Sequence, residues 1–320
     1  SSSSRSHALG ARGWGGSGDT KMKTRFFSVT YSSLLLSLLV CSPCNATAQT
    51  RSSDRVAGRG ETQFLPEFLR ASGGPVIPIF EGWYQHPDGS YELSFGYFNT
   101  NTEEIIDIPI GVDNFIEPAQ YDGVQPTHFL AVPEGDRRHW GTFTVSVPAD
   151  FGDEDVVWTL RMDNGRQFSV PGRVTRPPYE LHGAIFPGDS TASPLLWLEP
   201  DGSKGVGPWG VSTGPLTGRV GQALSLTVWT TRVDEYRSDT RPINLRWFKH
   251  QGPGSAIFSR PTTVVEVSRW MAVEGGFVDT EVIFDSPGHY VLRALAYNTI
   301  REFEFQCCWT NGYFHITVIE

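Results

Sequence analysis

The residues with the most distinctive chemistry lie near the C-terminus, where aromatic side chains surround two adjacent cysteines. Cys307 and Cys308 are followed by Trp309, Asn311 and Tyr313. A trans peptide holds consecutive Cα atoms about 3.8 Å apart, whereas disulfides usually span about 4.4–6.8 Å, so a bond between neighbours strains the chain. Because such strain is concentrated at functional positions, we expect a Cys307–Cys308 disulfide that stiffens a binding surface.

The neighbours of the cysteine pair have side chains suited to recognition. Flat rings at Trp309 and Tyr313 can stack against a sugar or a partner side chain, and Asn311-Gly312 is typical of a tight turn with a polar group. Three alternatives remain open. The segment could be a structural hairpin whose rings pack on the core, the cysteines could be free thiols packed as small hydrophobic groups, or they could cross-link to a second chain.

Motifs for catalysis are weak elsewhere. Gly188-Asp189-Ser190 is similar to the nucleophile block of some esterases, but prolines surround it and no G-x-S-x-G sequence is present. The eight histidines show no H-x-H or H-E-x-x-H spacing of the kind that zinc hydrolases use. The sequence therefore predicts no catalytic residue, no metal site and no cofactor.

One acidic segment has side chains that could supply oxygen ligands to calcium. Its members are Asp107, Asp113, Asn114, Glu117 and Asp122. Their spacing matches no recognised calcium loop, so a solvated acidic loop is the favoured interpretation. The net charge of -9 also argues against nucleic acid as a partner, because binding a phosphate backbone requires a basic face.

The N-terminal region has the pattern of a secretory signal. Residues 1–21 show no apolar periodicity and are interpreted as a non-native upstream extension. Residues 22–48 combine a basic start, an apolar run too short to span a bilayer, and the cleavage motif Ala46-Thr47-Ala48. We therefore expect an exported, periplasmic or extracellular protein with no transmembrane segment in its mature chain, in a compartment where disulfides persist.

Alternating apolar residues predict a first β-sandwich over residues 76–174, after a flexible lead-in at 49–75. Tyr91–Tyr97 and Val156–Met162 each alternate with period two, which is typical of half-buried strands. Asn164-Gly165 accepts the positive φ angles of a hairpin turn. Trp158, Leu160, Phe95 and Val145 are the predicted core of this sandwich.

A second sandwich is predicted over residues 213–320, after a Pro/Gly-rich connector at 175–212. The apolar segment 195–198 of the connector is expected to pack on a neighbouring domain. Trp247 is placed like the core tryptophan of an immunoglobulin strand C, and Tyr290 is placed like a tyrosine corner at a strand entry. We expect Leu226 and Leu245 to complete this core.

Three segments of the second sandwich carry a resemblance to a known family. They are Leu245–Gly254, Ser286–Ala294 and the closing strand Tyr313–Ile319. Together they resemble the PKD-like (polycystic kidney disease) immunoglobulin-like domains of bacterial exported proteins. The resemblance implies a β-sandwich that serves as a spacer, adhesion module or binding module. The first sandwich resembles immunoglobulin-like domains in strand pattern alone and matches no characterised family.

The sequence as a whole predicts an all-β protein with two immunoglobulin-like β-sandwich domains in tandem after a signal peptide. The favoured function is that of an exported, non-enzymatic binding, adhesion or assembly module whose partner is an unknown protein or glycan. The alternative is a secreted hydrolase, or a redox-active accessory protein that uses the adjacent cysteine pair. A subunit of a larger assembly would need a long exposed apolar edge. The sequence leaves the oligomeric state open.

Overall fold

A computed structural model of the chain describes residues 69–132, 138–181, 192–232, 242–266, 276–298 and 308–320. All of these residues belong to one compact unit that spans Ser53–Glu320. Within these ranges no helix is both long and apolar enough to cross a membrane. The predicted extension and signal peptide, together with most of the lead-in, lie outside the described residues.

Two three-stranded antiparallel sheets form the first sandwich. One sheet has the order β1-β2-β6, and the other has the order β4-β7-β8. With strands numbered along the chain, the bounds are β1 (Val76–Gln85), β2 (Tyr91–Asn99), β3 (Ile106–Asp107), β4 (Asn114–Glu117), β5 (His128–Phe129), β6 (His139–Val147), β7 (Val156–Arg161) and β8 (Gln167–Gly172). The short strands β3 and β5 pair with each other beside these sheets.

The core of the first sandwich lies where the sequence predicts it. Trp158, Leu160, Phe95 and Val145 are all buried in one cluster of apolar side chains. The predicted hairpin between β7 and β8 is also confirmed, since Gly165 has a φ of 77° and the Met162 amide donates to the Arg166 carbonyl at 2.8 Å. Local alternation and turn chemistry are therefore sufficient to define this pair of strands.

The second sandwich has a five-stranded sheet, β10-β17-β16-β12-β14, and a four-stranded sheet, β13-β15-β11-β9. The bounds are β9 (Leu195–Trp197), β10 (Val211–Arg219), β11 (Leu224–Thr231), β12 (Ile243–Gln251), β13 (Ala256–Phe258), β14 (Thr262–Val265), β15 (Gly276–Phe284), β16 (Gly288–Tyr297) and β17 (Trp309–Ile319). Strand β10 runs parallel to β17, and the other pairs are antiparallel.

Two structural details identify the second sandwich as immunoglobulin-like. Trp247 is buried in β12 among Leu226, Leu245 and Tyr290, as predicted. At the strand entry the Tyr290 hydroxyl donates to the Ser286 carbonyl at 2.9 Å and accepts from the Gly254 amide at 3.1 Å, which is the arrangement of a tyrosine corner. The chain is thus all-β, with two immunoglobulin-like sandwiches in tandem.

The Pro/Gly-rich connector contributes a strand to the second sandwich. Residues 195–197 form β9 and pair with β11, and the side chains of Leu196 and Leu198 join the core of the second sandwich. The expectation that this apolar segment packs on a domain is confirmed. The segment does so by extending a sheet, because an exposed apolar run with free backbone groups gains both burial and hydrogen bonds there.

Candidate functional site

The C-terminal segment that the sequence singles out is the last strand of the second sandwich, β17. Phe314, Ile316 and Val318 point into the core of that sandwich. Since strand side chains alternate, Trp309, Asn311 and Tyr313 share the opposite face of the sheet. That face is covered by the first sandwich, because only 1% of Trp309 and 0% of Asn311 is exposed.

Hydrogen bonds from β17 connect the two sandwiches directly. The Asn311 Nδ2 group donates to the Gly141 carbonyl of β6 and to the Pro208 carbonyl, both at 2.8 Å. The Tyr313 hydroxyl donates to the Thr142 carbonyl at 3.1 Å. Burial raises the pKa of Tyr313 to about 12, so this hydroxyl remains a donor at neutral pH.

These positions correct the expectation of an exposed aromatic surface. Trp309 and Asn311 cannot stack against or bond to an outside ligand while the first sandwich covers them. The alternative of a structural hairpin with packed rings agrees better with this burial. The side chains pack on the other sandwich, however, and not on the core of their own. Cys308 is buried and Cys307 lies outside the described residues, so the Cys307–Cys308 disulfide stays a prediction. Ligand binding by this segment also remains a prediction.

A buried pair of charged residues lies next to these bonds. Glu81 Oε2 accepts from the Gly141 amide at 2.9 Å and from Ser94 Oγ at 3.0 Å. Burial raises the pKa of Glu81 to about 7, although Arg138 and Arg293 oppose the shift. Burial likewise lowers the pKa of Arg293. The junction between the sandwiches therefore contains ionisable groups that are removed from water.

A second set of bonds docks a loop of the first sandwich on β12. The Thr127 amide donates to the His250 carbonyl at 2.9 Å. The Gln251 side-chain amide donates to the carbonyls of Gly123 at 2.9 Å and Gln125 at 2.7 Å. These backbone and side-chain hydrogen bonds hold the loop of the first sandwich in a defined position against β12.

Next to Tyr313 the two sandwiches enclose a cleft of about 410 Å³. Its lining combines one carboxylate, aromatic rings and neutral polar groups. The lining residues that matter for recognition are Glu92, Trp209, His250, Gln251, Tyr313 and His315. Both sandwiches and the connector contribute to this inter-sandwich cleft. Of these six residues, Tyr313 was predicted from the sequence and the other five were not.

Glu92 is the acidic residue of the cleft and is only 6% exposed. Its Oε1 atom accepts from Ser146 Oγ at 2.5 Å and lies 3.5 Å from His86 Nε2. Its Oε2 atom is buried and has no hydrogen-bond partner among the described residues. A buried carboxylate oxygen without a donor is costly, so the charge of Glu92 is poorly compensated within the described part of the protein.

The indole of Trp209 forms an aromatic wall of the cleft. Edge-to-face contacts with Tyr84, at 5.3 Å between ring centroids, and with His86, at 4.9 Å, hold the ring in position. Trp209 lies in the Pro/Gly-rich connector, where no periodic pattern indicates which way a side chain points. A large aromatic residue among glycines and prolines was the available signal.

His250 contributes a hydrogen-bond acceptor. Burial lowers its pKa to about 3, and nearby Arg293 and His315 lower it further, so the imidazole is neutral at neutral pH. Its Nε2 atom lies 2.9 Å from the Val124 carbonyl, which can only accept. The Nε2 atom must therefore carry the proton, and Nδ1 is left as an acceptor.

The acidic segment considered for calcium is used for internal contacts. Asp107 pairs with His128 at 2.7 Å and Lys249 at 3.1 Å, and Asp122 accepts from the Ile116 amide at 2.9 Å. Asn114 is buried and accepts from Trp158 Nε1 at 3.0 Å. In the described ranges no three His, Cys, Asp or Glu residues are grouped to hold a metal. Gly188-Asp189-Ser190 lies outside those ranges.

No family model matches the chain, and no curated protein matches it. Among solved structures, the D00-D0 domain of intimin is 9% identical, with 77% of this chain and 100% of that chain covered and a TM-score of 0.26. The S-layer protein SbsC domains 4 and 5 are 10% identical, with 77% and 98% covered and a TM-score of 0.22. CfaE, the adhesive subunit of CFA/I fimbria of enterotoxigenic Escherichia coli, is 6% identical, with 77% and 87% covered and a TM-score of 0.21. Similarities this distant carry no argument about function.

Proposed function

We propose that this chain is an exported, non-enzymatic binding module that holds a glycan in the inter-sandwich cleft. The observation that carries the proposal is the fixed indole of Trp209 beside buried polar groups in a preformed cavity of about 410 Å³. Clefts of this size at domain boundaries are typical small-ligand sites. An indole face suits the C–H face of a pyranose ring, and the polar groups suit its hydroxyls.

The number of carboxylates that line the cleft favours ligand binding over hydrolysis. In the described part of the chain, Glu92 is the one carboxylate that lines the cleft. Glycoside hydrolysis generally uses two carboxyl groups on either side of the scissile bond. The redox alternative is also less favoured, since Cys308 is buried and a reactive thiol needs solvent access.

The outer face of strand β15 does not favour the assembly alternative. Along β15 the outward positions are Phe277, Asp279, Glu281 and Ile283, in that order. Phe277 and Ile283 are exposed, but two carboxylates separate them. This alternation interrupts the apolar surface that a subunit of a polymer would need.

Export and family belong to the same proposal. The signal pattern over residues 22–48 supports export to the periplasm or the extracellular space. The segments 245–254 and 286–294 support a PKD-like identity for the second sandwich, and the buried Trp247 and bonded Tyr290 agree with it. The net charge of -9 supports a partner other than nucleic acid, because a phosphate backbone requires a basic face.

A glycan array followed by calorimetry tests the proposal on the mature chain. We expect Trp209→Ala to weaken glycan binding at least tenfold, because the stacking surface is removed. Phe277→Ala is the matched control, since Phe277 is an aromatic residue of the second sandwich that is 65% exposed and lies outside the cleft. The control should bind as wild type does. Absence of any bound glycan, or equal losses in both variants, would overturn the proposal.

A further inference from the structure

The charge of the inter-sandwich cleft points to a cationic group on its ligand. Glu92 is the acidic residue of the lining, and in the described ranges neither lysine nor arginine lines the cleft. Among the described residues the buried Oε2 atom of Glu92 has no donor. A positively charged group on a ligand would be attracted to this carboxylate and would offset its charge.

Three neutral polar groups of the cleft have acceptor atoms that are not already used. The Nε2 proton of His250 is used by the Val124 carbonyl, so Nδ1 accepts. Both carbonyl contacts of Gln251 are made by its Nε2 atom, which leaves Oε1 as an acceptor. The Tyr313 hydroxyl has given its proton to the Thr142 carbonyl. A ligand that brings donors would therefore find acceptors at these three residues.

Trp209 favours the same chemistry in the wall of the cleft. An indole attracts a cation through the negative face of its ring, and it also stacks on the C–H face of a sugar. The ring is fixed by Tyr84 and His86, and His86 in turn lies next to Glu92. Stacking and charge recognition are thus adjacent in one site.

We infer that the cleft selects an amino sugar with a free primary ammonium group, with the sugar ring against Trp209 and the ammonium group directed to Glu92. This inference rests on the proposed glycan-binding function and names the class of glycan. N-acetylation of the sugar removes the charge, leaves one N–H donor and adds a carbonyl acceptor. A hydroxyl at the same position retains a donor and lacks the charge.

Calorimetry at pH 7 with three disaccharides tests the inference on the mature chain. The probes are a glucosamine dimer, an N-acetylglucosamine dimer and cellobiose, which share one linkage and differ in the group at one carbon of each sugar ring. We expect the glucosamine dimer to bind at least tenfold more tightly than the other two. Its affinity should fall with added salt, because the contact is between charges.

Glu92→Gln is the decisive variant, since glutamine keeps an acceptor for Ser146 and removes the charge. We expect it to lose the preference for the glucosamine dimer. Glu281→Gln, on the outer face of β15, is the matched control and should retain it. Nα-acetyl-lysine amide is a further probe, and tighter binding of this probe than of the amino sugar would assign the ammonium group to a peptide and overturn the inference.

Failure of this inference is separable from failure of the proposed function. Equal binding of all three disaccharides by the wild type would overturn the amino-sugar preference. The glycan proposal would still stand if Trp209→Ala abolished that binding. If Glu92→Gln does not fold, the wild-type preference and its salt dependence decide the question without the variant. Absence of glucosamine-dimer binding would also overturn the inference.

Discussion

Glu81 and Arg293 show how single buried residues determine the properties of the junction between the sandwiches. Glu81 lies in the apolar run of β1 and accepts hydrogen bonds from Ser94 and Gly141. The positive charges of Arg138 and Arg293 lower its pKa and so oppose the effect of burial. Its other oxygen, Oε1, has no hydrogen-bond partner in the part of the chain that the structure describes. A lone glutamate in a strand is more often turned towards solvent, so no pattern in the sequence indicates that Glu81 is buried.

The raised pKa of Glu81 predicts a specific dependence of stability on pH. The native carboxyl has a pKa of about 7, and its reference value is 4.5, so the native state binds the proton more tightly. The stabilisation that comes from this bound proton is complete well below pH 4.5 and is lost as the pH rises towards 7. The unfolding free energy lost over this pH range is on the order of a few kcal/mol.

Urea unfolding of the wild type and Glu81→Gln across this pH range measures the effect. Subtracting the two curves should isolate a fall in stability with rising pH that the variant lacks. Glu281→Gln, with an exposed side chain, should follow the wild type. If the wild type and Glu81→Gln change in parallel between pH 4.5 and 7, the burial of an ionisable Glu81 is refuted.

Among the elements, β17 has a double role that follows from strand geometry. One face of the strand fills the core of its own sandwich, and the other face carries Trp309, Asn311 and Tyr313 to β6 of the first sandwich. The close approach depends on Gly141, which has a φ of 47° and faces the Trp309 ring. A Cβ atom at position 141 would overlap that ring.

Gly141→Ala is therefore expected to destabilise the protein through a clash as well as through backbone strain. Gly165→Ala is the matched control, because Gly165 also has a positive φ of 77° and no atom within 4 Å of an added Cβ. The control should cost about 1 kcal/mol from conformation alone. Overpacking against Trp309 should add roughly 1–3 kcal/mol to the cost at position 141.

Urea unfolding of both variants at one pH compares these costs. A larger loss for Gly141→Ala supports the close packing of β6 on β17. Equal losses in the two variants would mean that the Trp309 ring does not lie against Gly141.

The whole molecule has two cores joined by buried polar contacts rather than by a flexible link. The Asn311, Tyr313, Gln251 and Thr127 bonds all cross between the sandwiches. Trp209 of the connector also packs on Tyr84 of the first sandwich. Because separation would expose Trp309 and leave buried polar groups without partners, the two sandwiches stabilise each other.

We expect the mature chain to unfold in one cooperative transition. Tryptophan fluorescence, circular dichroism and hydrogen exchange of β7 and β16 should report the same midpoint in urea. Asn311→Ala should lower the midpoint of both sandwiches together, because it removes the bonds to Gly141 and Pro208. A variant that shifts β16 alone, or a wild type with two separate transitions, would contradict this prediction.

Local interactions explain what the sequence determined without further help. Alternation with period two predicted that Trp158 and Trp247 lie in the two cores, and Asn164-Gly165 predicted a turn. Both predictions were possible because side-chain direction and turn conformation depend on a few neighbouring residues. The tyrosine corner at Tyr290 has the same local origin. Fold class and both cores were accessible from the sequence for this reason.

The tertiary structure alone decided which outer sheet face is covered and where a cleft remains. Asn311 and Gly141 are separated by 170 residues in the chain, so no local pattern could show that β17 packs on β6. The same long-range docking buries Trp309, leaves Glu92 with an unpartnered oxygen and positions Trp209 beside it. Burial of a strand's second face depends on what packs against it, and alternation along one strand contains no information about that partner.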